Sequence, residues 1–158
     1  MTAEAPGTVE LLERLVAFDT VSANGNLDCI GFIRGHLARH GVESRLTHDD
    51  SGTKANLYAT IGPADRPGVA LSGHVDVVPV AGRAWSGDPF RRRRENGRLI
   101  GRVSYGTEGG IFQQASMAAI VCGPGDIAQA HTPDEWIAES ELAACDAFLR
   151  RLGDRLAA

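Results

Sequence analysis

The stretch Gly68-Val69-Ala70-Leu71-Ser72-Gly73-His74-Val75-Asp76-Val77-Val78-Pro79 decides how the fold is read. It is apolar on both of its alternating faces, the pattern of a parallel strand covered by helices on each side. Just upstream, Asn56-Leu57-Tyr58-Ala59-Thr60-Ile61 predicts another strand, ended by Gly62-Pro63. Further back, Leu11, Leu12, Leu15, Val16 and Phe18 recur at helical spacing behind Thr8, a candidate N-cap. A second helix is expected from about Leu27 to His40, stopped by Gly41, the residue type that tolerates a left-handed C-terminal conformation. Downstream, residues 90–101 read as a polar hairpin whose Asn96-Gly97 pair suits a type I′ turn. Its four arginines, Arg91 to Arg94, are expected to form a solvated edge, since no basic helix or interleaved aromatics accompany them. A glycine-rich turn at 106–112 opens a short helix, residues 118–125 form a short buried strand, and a surface-packed helix runs from about Glu139 to Leu156. The order implies an α/β layer architecture, a mixed sheet flanked by helices, with no repeat and no low-complexity linker.

Composition narrows the function classes. A chain of 158 residues with 43% apolar content can bury a core as one domain. The 20 acidic residues outnumber the 16 basic ones, so a phosphate backbone is a poor main partner and no nucleic acid is expected. The first residues carry neither a basic nor an apolar targeting segment, and no apolar run spans a bilayer, which predicts a cytoplasmic protein with no membrane partner. Cys29, Cys122 and Cys145 are widely spaced and make no Cys-x-x-Cys pair, so they read as reduced, small apolar residues.

Few residues offer chemistry. His74 sits two positions before Asp76, so both side chains should emerge on one side of a strand end, where α/β sheets bind ligands. There an imidazole can bind a metal through one nitrogen while a carboxylate accepts the other N–H, although a hydrogen-bonded core histidine beside a solvated aspartate fits the same three residues. His131 lies in the polar loop Gln129-Ala130-His131-Thr132-Pro133-Asp134-Glu135 and by itself reads as a surface histidine. His36 and His40 have the i,i+4 spacing of a zinc pair, but the intervening Leu37-Ala38-Arg39 lacks the glutamate of such a motif, and they read as structural. No Gly-x-Ser-x-Gly elbow is present, and Gly106-Thr107-Glu108-Gly109-Gly110 lacks the lysine of a phosphate loop.

Taken together, several phrases resemble the family of co-catalytic zinc deacetylases, aminoacylases and carboxypeptidases. They are Leu15-Val16-Ala17-Phe18-Asp19-Thr20-Val21-Ser22, the 72–79 segment, Trp85-Ser86-Gly87-Asp88-Pro89-Phe90, Gly97-Arg98-Leu99-Ile100-Gly101-Arg102, and then 105–110, Cys122-Gly123-Pro124-Gly125-Asp126 and 129–135. The last phrase resembles the acetylornithine deacetylase branch, which would make the substrate N-acetylornithine, a small N-acetylated amino acid of arginine biosynthesis. The resemblance implies two zinc ions, His74 on one, His131 on the other, and Asp76 orienting and polarising His74. It also implies a bridging aspartate just after a Gly-Arg-Gly phrase, whereas the sequence continues Gly101-Arg102-Val103-Ser104-Tyr105. The family's glutamate pair, a further acidic ligand and the lid and dimerisation domain are likewise missing. The chain is thus expected to be one catalytic-type domain assembled from residues 1–102 and 103–158, with a large internal deletion, doubtful activity and apolar surface open to self-association. The alternative is a non-catalytic remnant that folds or binds a partner.

Overall fold

The computed structural model describes residues 6–63, 65–101 and 108–157. They form a small mixed α/β fold of four helices and two small sheets. The first helix, α1 (Thr8–Val16), starts one residue after its N-cap, Gly7; Thr8 does not cap it, and its hydroxyl instead donates to Asp146 at 2.6 Å. The second, α2 (Leu27–Arg39), ends as expected, with Gly41 at φ 72° and its N–H on the Ala38 carbonyl. It packs on an antiparallel pair, β1 (Ser44–His48) and β2 (Ala55–Ala59), in register Leu46 to Leu57. The Asn26 side chain fastens helix to hairpin, accepting from Ala55 N–H at 2.8 Å and donating to its carbonyl at 3.1 Å.

The second sheet is three antiparallel strands, β3 (Arg93–Glu95), β4 (Arg98–Ile100) and β5 (Trp136–Ala138), in the order β3-β4-β5. The β3–β4 turn has Asn96 at φ 51° and Gly97 at φ 71°, both positive as a type I′ turn requires. A short helix, α3 (Gly109–Gln114), follows the glycine-rich phrase, whose residues 106 and 107 lie outside the described residues, as do both lips of the expected deletion, Arg102 and Val103. The last helix, α4 (Glu139–Ala157), runs out of β5. Leu99, Ile137 and Leu142 form the buried cluster of this half, with Val9 and Leu12 of α1 against it. Arg94 grips the Glu139 carboxylate with two guanidinium nitrogens, locking β3 to the start of α4.

Three further expectations fail. Residues 68–79 form no strand; the segment makes a single parallel bridge, Val21 to Val77, and leaves Val69 and Leu71 53% and 73% exposed. Residues 118–125 form none either, with Ile120 91% exposed. A strand apolar on both faces needs neighbours at both edges and cover on both sides, and the described residues supply neither. The arginine run is not uniformly solvated: Arg93 and Arg94 are paired, and all three guanidinium nitrogens of Arg92 are buried without a partner among the described residues. The accessible surface, 11232 Å², accordingly exceeds the about 7,600 Å² expected of a compact monomer of this mass. Among the described residues no helix is long and apolar enough to cross a membrane.

Candidate functional site

The segment after α1 anchors the backbone that carries His74 and Asp76. Residues 19–22 run beside 75–77: Val77 N–H donates to the Thr20 carbonyl at 3.1 Å, Ser22 N–H returns to the Val77 carbonyl at 3.1 Å, and the buried Thr20 hydroxyl donates to the Val75 carbonyl at 2.6 Å. Lys54, just before β2, holds the Ser22 carbonyl at 2.6 Å. These contacts fix the backbone around Asp76 from a stretch more than 50 residues away.

On that backbone the His74 Nδ1 lies 2.9 Å from Asp76 Oδ1 and 3.1 Å from the Asp76 carbonyl. Both neighbours are acceptors, so Nδ1 carries the proton and the lone pair of the neutral ring is left on Nε2. Nε2 is buried and has no hydrogen-bond partner among the described residues. The other carboxylate oxygen of Asp76 accepts the Ser22 hydroxyl at 2.8 Å. Ser22, and then His74, hold the Asp76 carboxyl below its ordinary value against the opposing effect of partial burial. The aspartate is therefore an anion positioned to orient and polarise the ring, the arrangement that accompanies metal-bound imidazoles. Sequence reasoning missed the role of Ser22; its only signal was its place in the 15–22 phrase.

His131 is set differently. It is exposed, and its backbone is held at φ 58°, with its N–H on Glu135 Oε2 at 2.9 Å and its carbonyl accepting Arg83 at 2.6 Å. The acidic residues around it serve the loop. Asp126 accepts Ala128 N–H at 2.8 Å at the head of a 3-10 turn, Ile127–Gln129, and Gln129 closes the capping box. Asp134 accepts from Arg93 and from Ser86 N–H, which keep its carboxyl below the ordinary value, Ser86 contributing most. Glu135 is 2% exposed. Among the described residues no group of three or more His, Cys, Asp or Glu side chains is gathered to hold a metal ion. Among the described residues the fit to a zinc centre is thus one oriented imidazole, His74, without the full ligand set that such a centre requires. His36 and His40 meet edge to face at 4.9 Å, and Arg39 donates to His36 Nδ1 at 3.3 Å, so that ring's lone pair is taken.

No protein-family profile matches the chain. Curated proteins do. It is 36% identical over 140 residues to a succinyl-diaminopimelate desuccinylase of Methylobacterium sp. (strain 4-46), covering 82% of this chain and 35% of that one. It is 35% identical over 113 residues to that of Xylella fastidiosa (strain 9a5c), 68% and 29% of the two chains, and 33% identical over 128 residues to that of Leptothrix cholodnii, 78% and 32%. The chain is a homologue of part of the succinyl-diaminopimelate desuccinylases. It spans about a third of the length of these relatives. The matches support the zinc deacetylase, aminoacylase and carboxypeptidase family recognised in the sequence, and not its acetylornithine deacetylase branch in particular.

Proposed function

We propose that this chain carries part of the metal-binding face of a zinc-dependent amide hydrolase acting on small N-acylated amino acids, and that by itself it binds metal weakly and turns over little substrate. One observation carries the reading: the His74 ring is oriented by Asp76 at 2.9 Å, and its buried Nε2 has no partner among the described residues. In this reading His74 and His131 stand where an intact relative would ligate its two zinc ions, the shortened chain holding one weakly through His74, and Asp76 positions His74 and strengthens it as a donor. Bound zinc supplies Lewis-acid polarisation of a carbonyl and an acidic water. The chain's own contribution is to orient His74 and keep its proton on Nδ1. The acyl group divides two candidates, N-acetylornithine from the 129–135 phrase and an N-succinylated diamino acid from the relatives' names.

The absence of a three-donor cluster among the described residues favours a second reading, a non-catalytic remnant that folds or binds a partner. Zinc calorimetry on the chelator-stripped chain separates them. The proposal expects one weakly bound ion, lost in His74→Ala with the far-ultraviolet circular dichroism spectrum unchanged. No zinc binding leaves only the second reading, and two tightly bound ions would mean that other residues rebuild a full site. Assayed with both acylated substrates, the zinc-loaded chain should be slower than an intact relative by at least about 10²-fold, the scale of losing general acid-base help. Turnover within about tenfold of that relative, abolished by His74→Ala, would overturn the expectation of low activity.

A further inference from the structure

The α4 face formed by Glu141, Ala144, Cys145 and Phe148 is crossed by the loop 122–125, and together they line an open cavity of about 260 Å³ with the Cys122 and Cys145 thiols both at its wall. The two cysteines are near enough to act on each other electrostatically: burial first, then Cys122 and Asp146, raises the Cys145 thiol above its ordinary value. They differ in setting. Cys122 is exposed, on a stretch whose backbone from 118 to 122 makes no hydrogen bond among the described residues, whereas Cys145 is half-buried on a helix. One sulfur is therefore fixed and the other can be brought to it without breaking a strand ladder or a helical turn. Cys29 is different again, 2% exposed on α2.

We propose that Cys122 and Cys145 form a dithiol that low-molecular-weight disulfides oxidise to an internal disulfide across the α4 groove. The step balances as two exchanges. The exposed Cys122 thiolate attacks a small disulfide, forming a mixed disulfide and releasing one small thiol after protonation. The Cys145 thiolate then attacks the Cys122 sulfur, displacing the second small thiol, which takes the second proton. Two electrons pass from the pair to the small disulfide. Cys122 is the attacking residue because solvent reaches it, and Cys145 the resolving one because it faces the same cavity from a fixed position.

The test is incubation of the full chain with oxidised glutathione, followed by intact-mass and peptide mapping without reductant. The expected wild-type product is two hydrogens lighter, carries no retained glutathione, and maps to a Cys122–Cys145 link, with Cys29 alkylated only after denaturation. Cys145→Ser should instead stop at a glutathione adduct on Cys122. A wild-type protein that also stops at that adduct, or that crosslinks only between chains with a yield falling on dilution, would overturn the proposal. Circular dichroism of the reduced variant establishes that it is folded, and a wild-type protein that keeps both thiols free after prolonged incubation would likewise sink the idea.

Discussion

Replacing Arg92 by methionine should stabilise the protein. Arg92 lies just before β3, with all three guanidinium nitrogens buried and unpartnered among the described residues. Burial pushes its pKa down from the ordinary guanidinium value to about 10, against a smaller opposing pull from Glu13. Each tenfold change in a protonation equilibrium is worth about 1.4 kcal/mol, so this fall corresponds to roughly 3 kcal/mol against the charged side chain. Water still reaches part of the residue, and screening trims the figure to about 2 kcal/mol. Methionine keeps most of the aliphatic length, so packing changes little, and the lost attraction to exposed Glu13 costs about 0.5 kcal/mol. The net gain is about 1–2 kcal/mol, read as a higher urea midpoint with unchanged slope, or a Tm higher by about 2–6 °C. Arg92→Lys keeps a buried charge and should gain nothing. Because the value is lowered, between about 10 and the ordinary guanidinium value the unfolded chain holds the proton and the folded chain does not, so stability rises with pH there and the penalty is fully present below about 10. Destabilisation of Arg92→Met by more than about 1 kcal/mol would refute the reasoning, because it would mean that the guanidinium has a partner worth more than its burial costs.

Other expectations follow from the same geometry. Asp76→Ala, which frees the His74 ring, should weaken zinc binding about 10- to 100-fold in competition with a chromophoric chelator while the far-ultraviolet spectrum is retained; an unchanged affinity would remove Asp76 from the positioning role. Gly97→Ala places a β-carbon at φ 71° in the β3–β4 turn and should cost about 1–2 kcal/mol in urea unfolding, whereas Asn96→Gly should cost far less. Asp49 accepts from the Ser51 hydroxyl and from Lys54 N–H, and Ser51 does most to hold its carboxyl below the ordinary 3.8. Its contribution to the β1–β2 turn is therefore present above the ordinary value and lost as pH falls through the lowered one, which carbon-detected NMR titration of the side chain would follow; a midpoint at or above 3.8 would contradict the turn geometry.

The sequence by itself determined the elements whose information is local. Helical spacing from Leu11 to Val16 and from Leu27 onward, the Gly41 stop, the Asn96-Gly97 turn and the apolar stripe of the last helix each rest on side chains within a turn or two of one another, and each is found. The relation of His74 to Asp76 was equally legible, since two residues on an extended backbone meet on one side. Tertiary structure decided the rest. An apolar pattern states that a segment needs burial, but whether residues 68–76 or 118–125 obtain it depends on neighbours elsewhere in the chain, and among the described residues these are absent. The β1 strand and the three-residue β5 are too polar or too short to announce themselves, and exist because β2 and β4 pair with them. Likewise one arginine of four has its guanidinium buried, and the serine that completes the His74–Asp76 pair comes from 54 residues away. Hydrogen-bond supply and burial are properties of where distant segments meet, and a single-residue pattern carries no record of that distance.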